Sequence, residues 1–353
     1  MDIIKIYIGN FSYNEKSRSF LVDILKPLIP SRNLTKYNLK SLPIMIVEEL
    51  HDSDCILLPY TWNYYLASGS LEIAEKMIRQ SQALNRKIFI WFTGDQFYSL
   101  DLPKSVIGFY NGPYKSKQDI LTISIPVIVR DPLLFLELET IIIQKLLRLP
   151  LIGFCGHVDP NIFISFIKFF RIFYKKFNYF FNLTQEYPGS IIPPTFLRKN
   201  ILDILEDSRE FQVEFLRRSK YKAGVRNDSD MYNIVKQDFY KNICATNYTL
   251  CIRGTGNFSA RLFETLALGR IPIFINTDCI LPFNDLINWN EHMIFIDQSN
   301  LRNLQSTILN FHQNLTEDSF INIQKKNRTL WEKNFSFYGA INNIVKEISK
   351  HIR

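Results

Sequence analysis

Short apolar runs alternate with amphipathic stretches along most of this chain. IIKIYIGN (3–10), CILLP (55–59), KIFIWF (87–92), SVIGFY (105–110) and TISIPVIV (122–129) read as strands, because compact runs of Ile, Val, Phe and Tyr bounded by turn residues suit a buried sheet. Between them, SLEIAEKMIRQSQALNR (70–86) repeats its apolar residues at helical spacing, and FLVDILKPLI (20–29) does so until Pro27 interrupts it. Pro126, Pro132 and Pro150 then break the pattern, with a helix, LFLELETIIIQKLLR (134–148), expected between the last two. After Pro150 a new strand, LIGFCG (151–156), opens a second series. Strands alternating with helical stretches predict α/β layers with mainly parallel sheets. The break predicts two domains, residues 1–149 and 150–353, with the last helix free to pack back on the first.

The second series contains the most informative stretch, TLCIRGTGNFSARLFETLALGRIPIFIN (249–276). It reads as strand, glycine loop, short helix, strand. Gly254 and Gly256 mark a tight loop, where glycine accepts positive φ and allows close approach. Ser259 stands at an N-cap position and Gly269 where a helix stops. Leu262, Phe263, Leu266 and Ala267 form the apolar stripe, leaving Arg261 and Glu264 on another side. A strand that runs through a glycine loop into a helix N-terminus makes an anion site. Arg253 and Arg261 would neutralise a diphosphate there, with Asn257 and Ser259 beside them. The competing reading is a surface pair of Arg261 with Glu264 at i,i+3.

Fixed residue types at fixed spacings run through this stretch and beyond it: Arg253, Gly254, Gly256, Ser259, Arg261, Glu264, Leu266, Gly269, Ile271, Pro272 and Ile273, then Leu281, Pro282, Phe283, Asp285, Ile287 and Trp289. The pattern resembles the core signature of the exostosin-type glycosyltransferases. That resemblance implies two Rossmann-like domains facing across a cleft, the GT-B arrangement. It also implies inverting transfer of a sugar from a nucleotide-diphosphate donor, UDP-linked, to a glycan or lipid-linked oligosaccharide. In it, Glu264 would accept hydrogen bonds from the ribose hydroxyls, since a carboxylate offers acceptors and no donor. Pro282, Phe283 and Trp289 would shape a loop; Asp285 is a cleft candidate or a turn cap.

Inverting transfer needs a group to take the acceptor's proton. Asp95, which follows KIFIWF, would point from the carboxyl edge of its strand into the cleft; the bland alternative is a turn residue. His51, Asp52 and Asp54 compete from a neighbouring turn. His157, just past Gly156, would reach a phosphate or sugar unless it is a solvated loop residue. The run IFISFIKFFRIFYKKFNYFF (162–181) sets Lys168, Arg171 and Lys175 opposite an aromatic face. The favoured reading buries that face on a sheet with the basic side in water; the other lays the helix on an anionic membrane.

Composition narrows the class. With 46% hydrophobic and 22% charged residues, the 353-residue chain has the balance of a soluble globular protein. Its net charge of +8 forms no Lys/Arg-rich tract, so nucleic acid is not expected as a partner. The five cysteines are scattered and odd in number, which predicts free thiols in a reducing, cytoplasmic compartment, with peripheral contact at the inner membrane face left open. The histidines lack metal-ligand spacing, so neither a metal nor a cofactor is expected. No signal-peptide or transmembrane pattern is visible. Two rival classes stand beside the transferase: a catalytically inactive sugar- or nucleotide-binding protein of the same fold, and a nucleotide-sugar epimerase or dehydrogenase. The second would carry a glycine fingerprint after its first strand, where IYIGNFSYNE offers only Gly9.

Overall fold

The computed structural model describes residues 3–37, 39–117, 120–158, 162–226 and 229–352. Its first half runs β1 (Ile4–Tyr7), β2 (Ile44–Val47), β3 (Cys55–Leu57), α1 (Trp62–Ala67), α2 (Leu71–Ala83), β4 (Ile88–Phe92), β5 (Phe97–Tyr98), β6 (Val106–Asn111), β7 (Leu121–Ile125) and α3 (Pro132–Leu136). The second half continues with β8 (Leu151–His157), α4 (Ile162–Phe180), β9 (Glu186–Tyr187), α5 (Pro194–Glu206), β10 (Gln212–Arg218), α6 (Asp230–Ala245), β11 (Tyr248–Ile252), α7 (Ala260–Ala267), β12 (Ile271–Asn276), β13 (Ile294–Asp297), α8 (Leu304–Gln313), α9 (Glu317–Asn334) and α10 (Phe337–Ile352).

Two parallel sheets form, ordered β2-β1-β3-β4-β6-β7 and β10-β8-β11-β12-β13. Both follow one path: the second strand lies outside the first, and the later strands step away on the other side. This is the doubly wound order, with its switch points between β1 and β3 and between β8 and β11. Parallel strands require crossovers, which place helices on both faces and bury the middle strands. All five residues of β4 and all five of β11 are accordingly buried. The two Rossmann-like halves face each other across a cleft lined from both sides, the GT-B arrangement.

The halves are also tied together. Phe97 of β5 pairs with Tyr187 of β9 across the divide, and Tyr114 bridges Cys279. Arg328 holds both carboxylate oxygens of Asp131, at 2.8 and 2.6 Å, the strong bidentate geometry. Gly112 has φ +59, and a Cβ there would lie 2.5 Å from the Asn257 carbonyl oxygen. Residues Ile341, Ile344, Val345 and Ile348 of α10 share a core cluster with Ile6, Leu25 and Ile56 of the first half.

Two expected helices are not present. In the first, Leu21 forms a bridge with Tyr60 and residues 23–28 form turns, as Pro27 removes a backbone donor. Residues 134–148 are helical only to Leu136; Glu137 takes the left-handed conformation at φ 56 and the chain runs on without regular structure. The second half answers its backbone groups instead. Arg270, with no exposed surface, donates to Ile142 O at 2.6 Å. Asn247 donates to Lys145 O at 3.0 Å, and Gln324 exchanges two bonds with the Gln144 backbone. With those partners available, the helical ladder has no advantage.

Candidate functional site

β11 ends in the loop 253–259, from which α7 starts. Leu262, Phe263, Leu266 and Ala267 are buried, as the stripe predicts. Gly269, at φ +67, closes the helix: its N–H reaches Leu266 O at 3.0 Å and that of Arg270 reaches Thr265 O at 2.9 Å, a Schellman motif. The loop itself departs from expectation. Neither Gly254 nor Gly256 has positive φ; what Gly256 supplies is room. A Cβ there would lie 2.6 Å from the Phe258 ring and 3.0 Å from Asp95 Oδ1. Ser259 occupies the N-cap position, but its side chain makes no capping bond and instead lines the cleft.

The arginines are set by carbonyls. Arg253 folds onto its own loop, donating to Thr255 O at 2.9 Å and Asn257 Oδ1 at 3.3 Å. Asn257 Oδ1 also accepts from Thr277 at 2.8 Å, so this pair fixes the loop's shape. Arg261 does not pair with Glu264. Its guanidinium donates to Leu250 O at 3.0 Å and Cys155 O at 2.7 Å, lying 4.3 Å over the Phe154 ring. Gly156 makes this possible, since a Cβ there would sit 2.7 Å from Arg261 Nη2.

Arg198, on α5, completes the group by donating to His157 O at 3.1 Å and to Arg253 O at 2.7 Å. These bonds tie the carboxyl ends of β8 and β11, the switch point where doubly wound sheets bind ligands. Burial, reinforced by Arg261 and Arg253, pulls the Arg198 pKa down to about 9, and burial lowers that of Arg261 as well. Each Nε lacks an acceptor among the described residues. Buried cations crowded together without carboxylate partners mark a place suited to an anion.

Glu264 is half-buried on the cleft side of α7. Its side-chain hydrogen bond among the described residues comes from Tyr240 Oη at 3.4 Å. Burial raises its pKa, against the opposing influence of Arg261 and Lys236. Asp95 approaches from the other half, three residues past β4, and lines the same cleft. His157 lines it too, at the end of β8. Asp54 accepts from Lys5 N at 2.7 Å, just ahead of β3, so it lies at the amino edge of its sheet; His51 and Asp52 share that exposed turn. Asp285 is not a cleft residue. It pairs with Lys350 of α10 at 3.0 Å, which holds its carboxyl below the ordinary range. Phe283 and Trp289 stack with Phe335.

Helix α4 is turned around relative to expectation. Lys168, Arg171, Ile172 and Lys175 face the cleft, with Lys168 donating to Thr195 at 3.2 Å and Lys175 pairing with Glu186 at 2.8 Å. The aromatic face points outward. The resulting cavity is about 980 Å³, with nine lysines and arginines against three carboxylates on its walls. Among the described residues no group of three or more His, Cys, Asp or Glu could hold a metal ion.

Arg198, Arg218, Lys222 and Lys236 line the cleft and buried Tyr240 bonds Glu264 behind it; none of the five stands out in the sequence. For Arg198 a signal existed: Pro193 and Pro194 announce the start of α5, which puts Arg198 near a helix N-terminus.

Residues 191–311 match the Exostosin GT47 domain. Exostosin-1 of Bos taurus and of Mus musculus are each 30% identical to this chain over 111 residues, covering 31% of it and 14% of their own length. The "Probable glucuronosyltransferase GUT1" of Oryza sativa subsp. japonica is 32% identical over 72 residues, covering 20% of this chain and 17% of that protein. Among solved structures, a glycosyltransferase from Rickettsia africae is similar with TM-score 0.36 and 12% identity, over 99% of this chain and 98% of that one. Anabaena Alr3699/HepE in complex with UDP-glucose is similar with TM-score 0.38 and 10% identity, over 98% and 100%.

Proposed function

We propose that this chain, whose residues 191–311 match the Exostosin GT47 domain, is an inverting glycosyltransferase using a UDP-linked sugar and a glycan or lipid-linked acceptor. The observation that carries the reading is the excess of cations over carboxylates in a cleft at the switch point of the second sheet. A nucleoside diphosphate is the ligand such a place suits, because its phosphates match the charge of the arginines. Residues Arg198 and Arg261 would set the field at the diphosphate, Arg253 and Asn257 would hold the loop, and Ser259 would contact a phosphate oxygen. Glu264 would accept from the ribose hydroxyls.

In the transfer itself, the acceptor oxygen attacks the anomeric carbon from the side of the first half. The bond from that carbon to the diphosphate oxygen breaks, inverting the centre, and the acceptor's proton passes to the Asp95 carboxylate. The leaving diphosphate would be stabilised by the arginines and the α7 N-terminus, with no metal assigned a part. Tyr240 and Lys236, which flank Glu264, would position it.

The test is a calorimetric titration of the chain with UDP, GDP, dTDP and inorganic diphosphate. Binding of UDP, tighter than of inorganic diphosphate, is the expected result. Failure of every nucleotide to bind would remove the reading. Binding of UDP with no consumption of any UDP-sugar would favour the inactive binding protein instead.

A further inference from the structure

The outward face of α4 departs from an ordinary soluble surface. Phe166, Phe170, Phe173, Phe177 and Phe180 recur at helical spacing, and each is between 51% and 79% exposed. At 3.6 residues per turn the full apolar arc, which also includes Ile167, Phe169 and Tyr174, covers about 160° of the helix. Phe181 and Leu183 extend it past the helix end, both exposed. Soluble monomers rarely show so continuous an aromatic strip, and one that does is built to be covered.

Charge decides what covers it. Arg171, an exposed residue where the arc meets the cleft wall, borders it on one side and Lys176 on the other, and no Asp or Glu occurs from residue 162 to 185. A second copy of the chain, docked strip to strip about a twofold axis, would bring these basic borders together. An anionic surface would complement both at once. The four cations of α4 also keep it from spanning: no helix among the described residues is long and apolar enough to cross a membrane. An amphipathic helix with aromatics on one face and lysine and arginine at its borders lies in the plane of a bilayer interface.

We propose that α4 seats this protein on an anionic phospholipid bilayer, with its phenylalanines in the acyl boundary and Arg171 and Lys176 at the headgroups. The opposite side of the same helix carries Lys168 and Lys175 on the cleft wall, so seating places the cleft within one helix diameter of the lipid. The docking surface stands independently of the donor reading, because Phe170 and Phe177 are not among the cleft-lining residues.

The test is co-sedimentation of the whole chain with phosphatidylcholine vesicles, with and without phosphatidylglycerol. The wild-type chain is expected to pellet with the anionic vesicles and to be released as salt is raised. The double variant Phe170→Glu with Phe177→Glu should reduce that partition about tenfold or more while leaving UDP binding unchanged. A second variant, Phe173→Trp, should be quenched by brominated lipid only when anionic vesicles are present. Absence of binding to either vesicle, or equal binding by wild type and double variant, would overturn the proposal. So would self-association abolished by the same double variant with no lipid partition, which would assign the strip to a second copy of the chain. In any of these cases the UDP titration still stands or falls separately.

Discussion

Replacing Glu264 with Gln separates a site residue from a structural one. This carboxyl is half-buried and receives a long hydrogen bond from Tyr240, at 3.4 Å, while the neighbouring Arg261 is committed to Leu250 O and Cys155 O. Burial therefore raises its pKa above the ordinary carboxylate value. For an acid raised on folding, the native state binds more protons than the unfolded chain. Stability must then fall as pH rises from the ordinary carboxylate value through the folded one, and stay lower above it. Glutamine has no such titration. The variant should melt at or above the wild-type temperature at pH 7, with the difference shrinking towards pH 4. Its nucleotide affinity should move the other way. Hydrogen bonds from ribose hydroxyls to a charged acceptor contribute about 1.5–3 kcal/mol, so the UDP dissociation constant should rise roughly 10- to 100-fold. Melting curves across this pH range, with a UDP titration of each protein, give both readouts. A variant that is less stable at pH 7 and binds UDP as before would refute the assignment, leaving Glu264 a structural residue.

Three further outcomes are expected. Asp95→Asn should lower sugar transfer by about 10²- to 10⁴-fold with UDP affinity unchanged, and near-normal turnover would remove Asp95 as the base. Gly112→Ala places a Cβ 2.5 Å from a backbone oxygen at φ +59, so it should lower stability by about 1–3 kcal/mol in urea unfolding. Arg270→Met strips donors from Cys244 O, Ile142 O and Gln324; it should destabilise by about 3 kcal/mol or more and expose residues 137–149 to limited proteolysis.

How far the sequence could be read depends on whether the signal was local. The path from β11 through α7 to β12 was legible because each step has a local cause: strands buried on both faces read as unbroken apolar runs, the α7 stripe is periodic, and Gly269 is the residue a left-handed helix end requires. Asp95 was legible for the same reason, as the first carboxylate past a buried strand. The orientation of α4 was not. Periodicity shows that a helix has two faces but not which of them meets the protein, and here Thr195 and Glu186 draw the basic side inward. Residues 134–148 have helical spacing, yet their backbone is answered by Arg270, Asn247 and Gln324, which are distant in sequence. Arg198 belongs to the site only because the topology brings the ends of β8 and β11 within reach of one guanidinium. The glycine loop lay between these cases: its position was legible, while the reason for Gly256, room for Phe258 and Asp95, exists only once the halves have closed.

In the proposed reaction, the cleft between the two sheets transfers a sugar from a nucleotide diphosphate. The most direct test is incubation of the chain with a panel of UDP-, GDP- and dTDP-sugars, following nucleoside diphosphate release and the anomeric configuration of the sugar product by NMR. Release of UDP from at least one donor, with inversion at the anomeric carbon and loss of release in Asp95→Asn, is the predicted result. Retention of configuration, or no release from any donor in the panel, would contradict it.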